Sequence, residues 1–185
     1  MPDWHVIIIG SGPAGMFSAL ELSKLRPDLR IAIFEKGPMR EFGDRQNKTC
    51  GWGGSGAFSD GKLDLTGEIG GDLLQYISRD DFNTLMEYVE KTYVSYCDSK
   101  ETNTETEPDA KGVGELTRLC YQNGMKLIPF PVRHLGTDRS YGVVMGMKKD
   151  LEKAGVNIVT DCEVKTINTS IYYPFVLTVK QNGKE

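Results

Sequence analysis

The sequence lacks the features that mark several large classes of protein. It has no apolar run long enough to cross a membrane or to form the core of a secretory signal, since its first apolar stretch covers only residues 6–9. It also has no excess of positive charge, because 22 lysines and arginines face 26 aspartates and glutamates, for a net charge of -4. Without a basic block, we expect neither a nucleic-acid partner nor a membrane partner.

Cysteine is sparse and follows no recognisable spacing. The four cysteines lie at positions 50, 97, 120 and 162, which fits neither a CxxC redox pair nor a zinc-ligand pattern. We therefore expect reduced thiols, a cytoplasmic location and no metal site. Residues 98–111 contain no aliphatic side chain larger than alanine and carry five acids, so we expect them to form an exposed acidic loop.

Glycine, in contrast, is abundant, with 21 in 185 residues. The first glycines of the chain lie next to segments with a clear secondary-structure pattern. Residues 6–9 form a β-branched run typical of a strand buried on both faces, residues 13–25 have the pattern of a helix, and residues 31–34 resemble the first strand. Together they predict a right-handed βαβ unit.

The rest of the chain extends this pattern. We expect helical spacing at 73–96 with a break near Ser78, a short helix at 116–121, an extended segment at 126–130, a helix at 140–154, strands at 156–159 and 162–164, and the first arm of a hairpin at 175–179 turning at 182–183. The predicted fold class is α/β: a doubly wound, Rossmann-like domain of three layers, with a parallel sheet and a small β-hairpin or meander crossover.

Residues 10–15, GSGPAG, match the GxGxxG pattern between the first strand and the helix. The three glycines suit a tight turn, close approach of a pyrophosphate to the backbone, and close packing of helix on strand. The helix N-terminus would hold the anion without a side-chain cation. Glu35 follows 20 residues after Gly15, where a carboxylate can accept both ribose hydroxyls of an adenosine and would repel a 2′-phosphate.

These residues resemble a known group of proteins. GSGPAG followed by Phe34, Glu35 and Lys36 resembles the two-dinucleotide-binding-domain flavoproteins, in which this unit holds the ADP half of FAD. Residues 50–63, CGWGGSGAFSDGKL, and 133–138, RHLGTD, resemble the uncharacterised bacterial and archaeal FAD-dependent dehydrogenases. The resemblance implies an FAD-dependent oxidoreductase, with NAD(P)H as a candidate electron donor and a small-molecule substrate that the family leaves undefined.

The resemblance also implies that residues 1–185 are one FAD-binding domain at the N-terminus of a longer flavoprotein. A strand that closes the FAD site in such proteins has no counterpart here, so we expect this chain alone to be marginally stable and to bind FAD weakly. The predicted cofactor-binding residues come from four segments. They are Gly10, Gly12, Pro13, Ala14, Gly15, Glu35, Lys36, Gly53, Gly54, Ser55, Gly56 and Val164.

Two other functions remain open at this point: a plain NAD-dependent dehydrogenase, which Glu35 permits equally, and a nucleotide-binding module without catalysis. No catalytic residue is assigned. His134 could exchange a proton beside a hydride transfer, or simply precede a helix capped by Thr137 or Asp138. Asp60 and Lys62 could orient a ligand or form a solvated pair. Cys50 fits a packed thiol better than a redox centre.

Overall fold

The structure is a computed structural model that describes residues 3–39, 41, 49–58, 61–97 and 104–181. The chain divides into two compact units, one formed by Met1–Ser59 and Ser140–Glu185 and the other by Asp60–Arg139.

The described residues form four helices and eight strands. The helices are α1 (Pro13–Leu25), α2 (Arg79–Ser95), α3 (Ala110–Gln122) and α4 (Thr137–Lys153). The strands are β1 (Val6–Ile9), β2 (Ile31–Phe34), β3 (Lys62–Asp64), β4 (Thr104–Thr106), β5 (Val132–His134), β6 (Asn157–Val159), β7 (Cys162–Asn168) and β8 (Val176–Gln181). Two short 3-10 helices cover Gly54–Phe58 and Leu73–Gln75.

The first unit contains a parallel three-stranded sheet in the order β1-β2-β6. Ile7 lies opposite Ala32, and Ile33 lies opposite Ile158. The bounds of β1, α1 and β2 are those that the sequence predicts, and β6, which follows the helix predicted at 140–154, joins this sheet. A mixed α/β class with a parallel sheet is therefore confirmed, whereas the doubly wound, three-layer arrangement stays a prediction.

The core of this unit lies between the sheet and the helices that precede its strands. β2 contributes fully buried residues because it has a partner strand on each side. The buried apolar side chains are Met16, Ala19 and Leu20 of α1, Ile31, Ala32 and Ile33 of β2, and Val143, Val144, Met147 and Leu151 of α4. The expectation that β1 is buried on both faces is wrong at its end, where Ile9 is 52% exposed, because β1 pairs with β2 alone among the described strands.

A two-stranded antiparallel ladder follows the parallel sheet. β7 pairs with β8, with Cys162 opposite Gln181 and Asn168 opposite Val176. The strand predicted at 175–179 is thus the second arm of a hairpin that begins with β7. The sequence pattern instead predicts a turn at 182–183, which lies outside the described residues. The pairing of this strand with the preceding one is hard to recognise in the sequence because a long irregular connection, residues 169–175, separates them.

The second unit is built on an antiparallel sheet in the order β3-β5-β4. Arg133 of β5 donates from Nε to Oε1 of Glu90 in α2 at 2.7 Å, and both side chains are largely buried. This pair ties the sheet to α2. The break predicted near Ser78 is confirmed, since Ser78 caps the N-terminus of α2 by accepting the N–H of Asp81 at 3.1 Å.

Three expectations for this unit need correction. The acidic segment 98–111 is not all loop: Thr104–Thr106 is an edge strand, and α3 begins at Ala110, capped by Asp109. The backbone of polar residues can pair at a sheet edge without burying large side chains. Residues 98–103 lie outside the described part of the chain. α3 is also much longer than 116–121. No strand forms at 126–130. The next strand, β5, starts at Val132, after Pro131, which has no N–H to donate.

None of the described helices is long and apolar enough to span a membrane. Within the same residues, no group of three or more His, Cys, Asp or Glu side chains is placed to hold a metal ion. No disulfide joins the four cysteines, all of which belong to the described residues.

Candidate functional site

The glycine turn joins β1 to α1 and places its three glycines in three different environments. Gly10 has φ +97°, in the region that favours glycine, and its N–H donates to the carbonyl of Phe34 at 2.8 Å. A Cβ added at Gly15 would collide with the carbonyl oxygen of Gly10, so helix and strand pack closely there. A Cβ added at Gly12, like one added at Gly10, would meet nothing within 4 Å. The turn is therefore open at Gly10 and Gly12.

Gly12 is also the N-cap of α1, with extended backbone and no side-chain cap. Its carbonyl accepts the N–H of Met16 at 3.0 Å, the first hydrogen bond of the helix. The first-turn N–H groups of Ala14 and Gly15 have no acceptor within the helix, and they lie at the positive end of its dipole. Pro13 at the first helical position fixes the backbone and removes one donor that would go unused.

A cleft of about 460 Å³ opens beside this turn. Its walls come from the end of β1, the glycine turn (residues 10–15), the end of β2, Thr49 with the glycine-rich stretch (residues 50–56) and the start of β7, all in the first unit. The predicted residues that line it are Gly10, Gly12, Pro13, Glu35, Lys36, Gly54, Ser55 and Val164. The residues that line it without having been predicted are Ile9, Phe34, Thr49, Cys50, Cys162 and Glu163.

The other four predicted residues lie near the cleft without lining it. Ala14 is exposed in the first turn of α1, and Gly15 packs against Gly10. Gly53 is buried, and a Cβ there would press on Ala57 and Val144. Gly56 comes within 3.6 Å of the Pro13 ring, measured from an ideal Cβ. These residues shape the backbone around the cleft.

The glycine-rich stretch packs directly on the glycine turn. An ideal Cβ on Gly54 lies 3.4 Å from Cα of Gly12, and the N–H of Gly53 donates to the carbonyl of Ser11 at 3.1 Å. Trp52 anchors the stretch from the other side: its indole is 2% exposed and donates from Nε1 to the carbonyl of Val144 at 2.9 Å. Two segments 40 residues apart in sequence thus form one wall.

Glu35 closes β2 at the edge of the cleft, and its side chain is only 5% exposed. Its Oε2 accepts the backbone N–H of Ser11 at 2.9 Å and the Ser11 hydroxyl at 3.0 Å. Its Oε1 accepts the N–H groups of Gly37 and Gly51, each at 2.8 Å. The carboxylate therefore has four protein donors, and its contact with ribose hydroxyls stays a prediction.

Two opposed effects act on the ionisation of Glu35. Burial raises the pKa of the carboxyl, while the backbone N–H groups of Ser11, Gly37 and Gly51, together with the Ser11 hydroxyl, lower it. The hydrogen bonds prevail, and the pKa lies below its ordinary value. At neutral pH this group is a buried, fully hydrogen-bonded carboxylate.

The start of β7 brings further groups to the cleft. Burial raises the pKa of the Cys162 thiol, which stays protonated at neutral pH. Glu163 pairs with Lys165 at 2.7 Å, and the hydrogen bond from Lys165 lowers the pKa of its carboxyl. Lys36 lines the cleft with its side chain exposed. Cys162 and Glu163 immediately precede Val164 in the sequence. The prediction of Val164 as a site residue could therefore have been extended to these two neighbours.

The remaining candidates lie elsewhere. His134 is an exposed residue of β5 in the second unit, opposite Lys62 of β3. Neither lines the cleft, and Asp60 lies outside the described residues. α4 begins at Thr137, three residues before the predicted start, so Thr137 and Asp138 belong to the helix and the prediction that one of them is its N-cap is wrong. Cys50 lines the cleft as a half-buried thiol.

Three solved structures with a similar fold are distant from this chain in sequence. Glycine oxidase from Geobacillus kaustophilus aligns with a TM-score of 0.53 and 18% identity, covering 95% of this chain and 51% of its own. CabE, an aromatic hydroxylase from angucycline biosynthesis, aligns at 0.51 and 16%, covering 99% and 28%. NikD, an unusual amino acid oxidase essential for nikkomycin biosynthesis, aligns at 0.50 and 14%, covering 98% and 48%.

The chain thus spans about half the length of glycine oxidase and of NikD, and under a third of CabE. At these identities the likeness establishes a fold shared with oxidases and a hydroxylase. No protein-family model matches the chain, and no curated protein matches it in sequence.

Proposed function

We propose that this chain is the FAD-binding part of an FAD-dependent oxidoreductase. The observation that carries the proposal is the open backbone of the glycine turn, since Gly10 and Gly12 both leave free space and line the cleft at the N-terminus of α1. A diphosphate fits such a place because backbone N–H groups and the helix dipole stabilise its charge without a cationic side chain.

The cleft suits the nucleotide end of a dinucleotide. It runs from the glycine turn along the carboxyl end of β2 to the start of β7. In open α/β sheets, ligands bind at this end of the strands. Gly12, Pro13, Ala14 and Gly15 would hold the pyrophosphate, with Gly54 and Ser55 beside it, and the backbone near Val164 would face the adenine.

FAD is favoured over NAD by the glycine-rich stretch. This stretch packs on the glycine turn through Gly53 and Gly54, so a second glycine-rich segment would accompany the pyrophosphate. The residues around it resemble FAD-dependent dehydrogenases, and the fold is shared with oxidases and a hydroxylase. FAD supplies hydride or electron transfer when bound, and the chain binds and orients it. A small-molecule substrate and NAD(P)H as electron donor belong to the proposal for the whole protein.

Titration of the purified chain with FAD tests this function. Binding should quench flavin fluorescence, and ADP should compete. Gly12→Val should reduce FAD affinity at least about a hundredfold, because its side chain would occupy the space of the pyrophosphate. Gly142→Val is the matched control, since a Cβ at that helical glycine also meets nothing within 4 Å.

Retention of wild-type FAD affinity in Gly12→Val would overturn the site. Tighter binding of NAD than of FAD would favour the NAD-dependent alternative. FAD binding without reduction by any nicotinamide donor or amine and hydroxy-acid panel would favour a non-catalytic module.

A further inference from the structure

Two sequence motifs that the cofactor cleft does not use come together in the second unit. Residues 61–63 end one of the two stretches that resemble FAD-dependent dehydrogenases, and residues 133–136 belong to the other. The strands that contain them, β3 and β5, pair antiparallel, with Lys62 directly opposite His134. The fold therefore brings a lysine and a histidine from distant parts of the sequence into one cross-strand pair.

This pair lies on the open face of the antiparallel sheet. Side chains alternate between the two faces along a strand, so Leu63 and Arg133 share the opposite face. Arg133 donates to Glu90 of α2, so α2 lies against that opposite face. Lys62 and His134 are both exposed. Because directly opposite residues have Cβ atoms about 4.5–5.5 Å apart, their nitrogen donors can reach one ligand.

Two glycines hold the backbone beside this pair. Gly61 and Gly136 have φ +71° and +89°, and a Cβ on Gly61 would overlap the backbone of Gly136. The carbonyl of Gly61 accepts the N–H of Leu135 at 2.7 Å and that of Gly136 at 3.3 Å. Leu135 is buried, and β5 has a partner strand on each side, β3 and β4. The backbone of Lys62 and His134 is therefore fixed before any ligand binds.

Asp64 adds an acceptor to the same face. It lies two residues after Lys62 in β3, which places its Cα about 7 Å farther along the strand, and its side chain is exposed. Val132, its partner across the ladder, has an apolar side chain. The face thus has two nitrogen donors at one end and a carboxylate acceptor at the other.

We infer that this face binds a small organic acid that has a hydroxyl or ammonium group next to its carboxylate. The two oxygens of the ligand's carboxylate accept from the Lys62 ammonium and from an imidazole N–H of His134, which the neutral ring also offers. The hydroxyl or ammonium group donates to Asp64. All three residues belong to the second unit, so the site does not depend on FAD. Only its identification as the substrate site of an oxidoreductase rests on the proposed function.

NMR of the two imidazoles tests the inference on the 185-residue chain without FAD. The sequence has two histidines, and His5 is the internal reference, because it belongs to the first unit and its Nδ1 accepts the N–H of Arg30 at 2.9 Å. The probes are propionate, lactate and alanine, which differ only at the carbon next to the carboxylate, and sulfate, which has no group to donate to Asp64. The pH is constant, and sodium chloride keeps the ionic strength constant.

The three acids should shift the His134 signals saturably and leave the His5 signals in place. Lactate and alanine should bind at least about threefold more tightly than propionate and sulfate, because their hydroxyl or ammonium group gains Asp64 as an acceptor. His134 signals that do not move would overturn the inference. Sulfate or propionate that binds as tightly as both lactate and alanine would also overturn it, since the face would then attract anions in general.

Substitutions at exposed positions separate the two ends of the site. Lys62→Gln should weaken the binding of all three acids by about fivefold, and Lys62→Arg should retain it. Lys111→Gln is the matched control, because it removes the same charge from an exposed lysine of α3 in the same unit. Asp64→Ala should reduce the affinities for lactate and alanine to that for propionate. Circular dichroism checks that each variant is folded.

Equal weakening by Lys62→Gln and Lys111→Gln would contradict a specific contact at Lys62. An advantage of lactate and alanine that survives Asp64→Ala would contradict the acceptor role of Asp64. Either result would overturn the inference. Because FAD is absent from these titrations, their outcome is separate from the flavin titration that tests the proposed function.

Discussion

Three glycines at one turn have three distinct physical roles. Gly10 takes a positive φ, Gly12 leaves open space, and Gly15 removes a side chain that would strike the carbonyl of Gly10. The same residue type is thus required for conformation, for ligand access and for packing. Mutations at these positions should separate stability from binding.

Gly15→Ala should destabilise the fold by about 2–3 kcal/mol, because its Cβ meets backbone that cannot move without shifting β1. Gly142→Ala should instead stabilise by about 0.5–1 kcal/mol, since it replaces an exposed helical glycine that has free space around it. Urea denaturation followed by circular dichroism measures both. Equal effects of the two substitutions would show that helix propensity alone sets the change in stability. The close approach of Gly15 to the carbonyl of Gly10 would then have no energetic consequence.

Glu35 should give the protein a defined acid dependence. Its folded pKa lies below the ordinary value of about 4.3, so its stabilisation is complete above that value and is lost as the pH falls through the lower, folded pKa. Glu35→Gln, which cannot titrate, should be less stable by about 2–3 kcal/mol at pH 7.

That difference should shrink as the pH is lowered from 5 to 3, and urea denaturation of both proteins over this range measures it. A difference that stays constant over the whole range would mean that the carboxylate titrates as it does in the unfolded chain.

At the scale of elements, the βαβ unit could be predicted to the residue, because its strands are continuous apolar runs and its helix lies between a glycine turn and Pro27. The second unit could not. β3, β4 and β5 have three residues each, too short for a period to be recognised, and Thr104–Thr106 is polar throughout. Its pairing with β5 depends on residues far away in sequence.

The candidate site, like the fold, could be predicted from the sequence only in part. GxGxxG marks the turn because its chemistry is local, and the cleft does contain Gly12, Pro13 and Gly54. The partners of Glu35 were not predictable, since the N–H groups of Gly37 and Gly51 have no sequence signature. A carboxylate at the end of β2 predicts an acceptor, but only the tertiary structure shows which donors reach it.

Ser78 offers a test of the capping that begins α2. Its Oγ accepts the N–H of Asp81 at 3.1 Å and donates to the Asp81 carboxylate at 2.7 Å. Ser78→Ala should cost about 1 kcal/mol, whereas Ser78→Thr should retain most of the stability because it keeps the hydroxyl. Amide hydrogen exchange in the first turn of α2 measures the change. Equal protection in both variants would show that the cap contributes nothing there.

At the scale of the whole molecule, the chain combines a cleft of about 460 Å³ in one unit with an antiparallel sheet in the other. The fold is shared with oxidases and a hydroxylase of which the chain spans at most about half the length. The proposed cofactor site lies within the first unit, because all of the walls of the cleft belong to that unit. The central claim is therefore that an adenine dinucleotide binds there.

Amide NMR of the isotope-labelled chain during titration with FAD tests this claim most directly. We expect the N–H signals of Ala14 and Gly15 to move downfield as they gain phosphate acceptors, with saturable shifts at Gly54 and Ser55, and the same response to ADP. Gly12→Val should abolish these shifts and leave the rest of the spectrum in place. Saturable FAD binding that shifts none of these four amides would contradict the account.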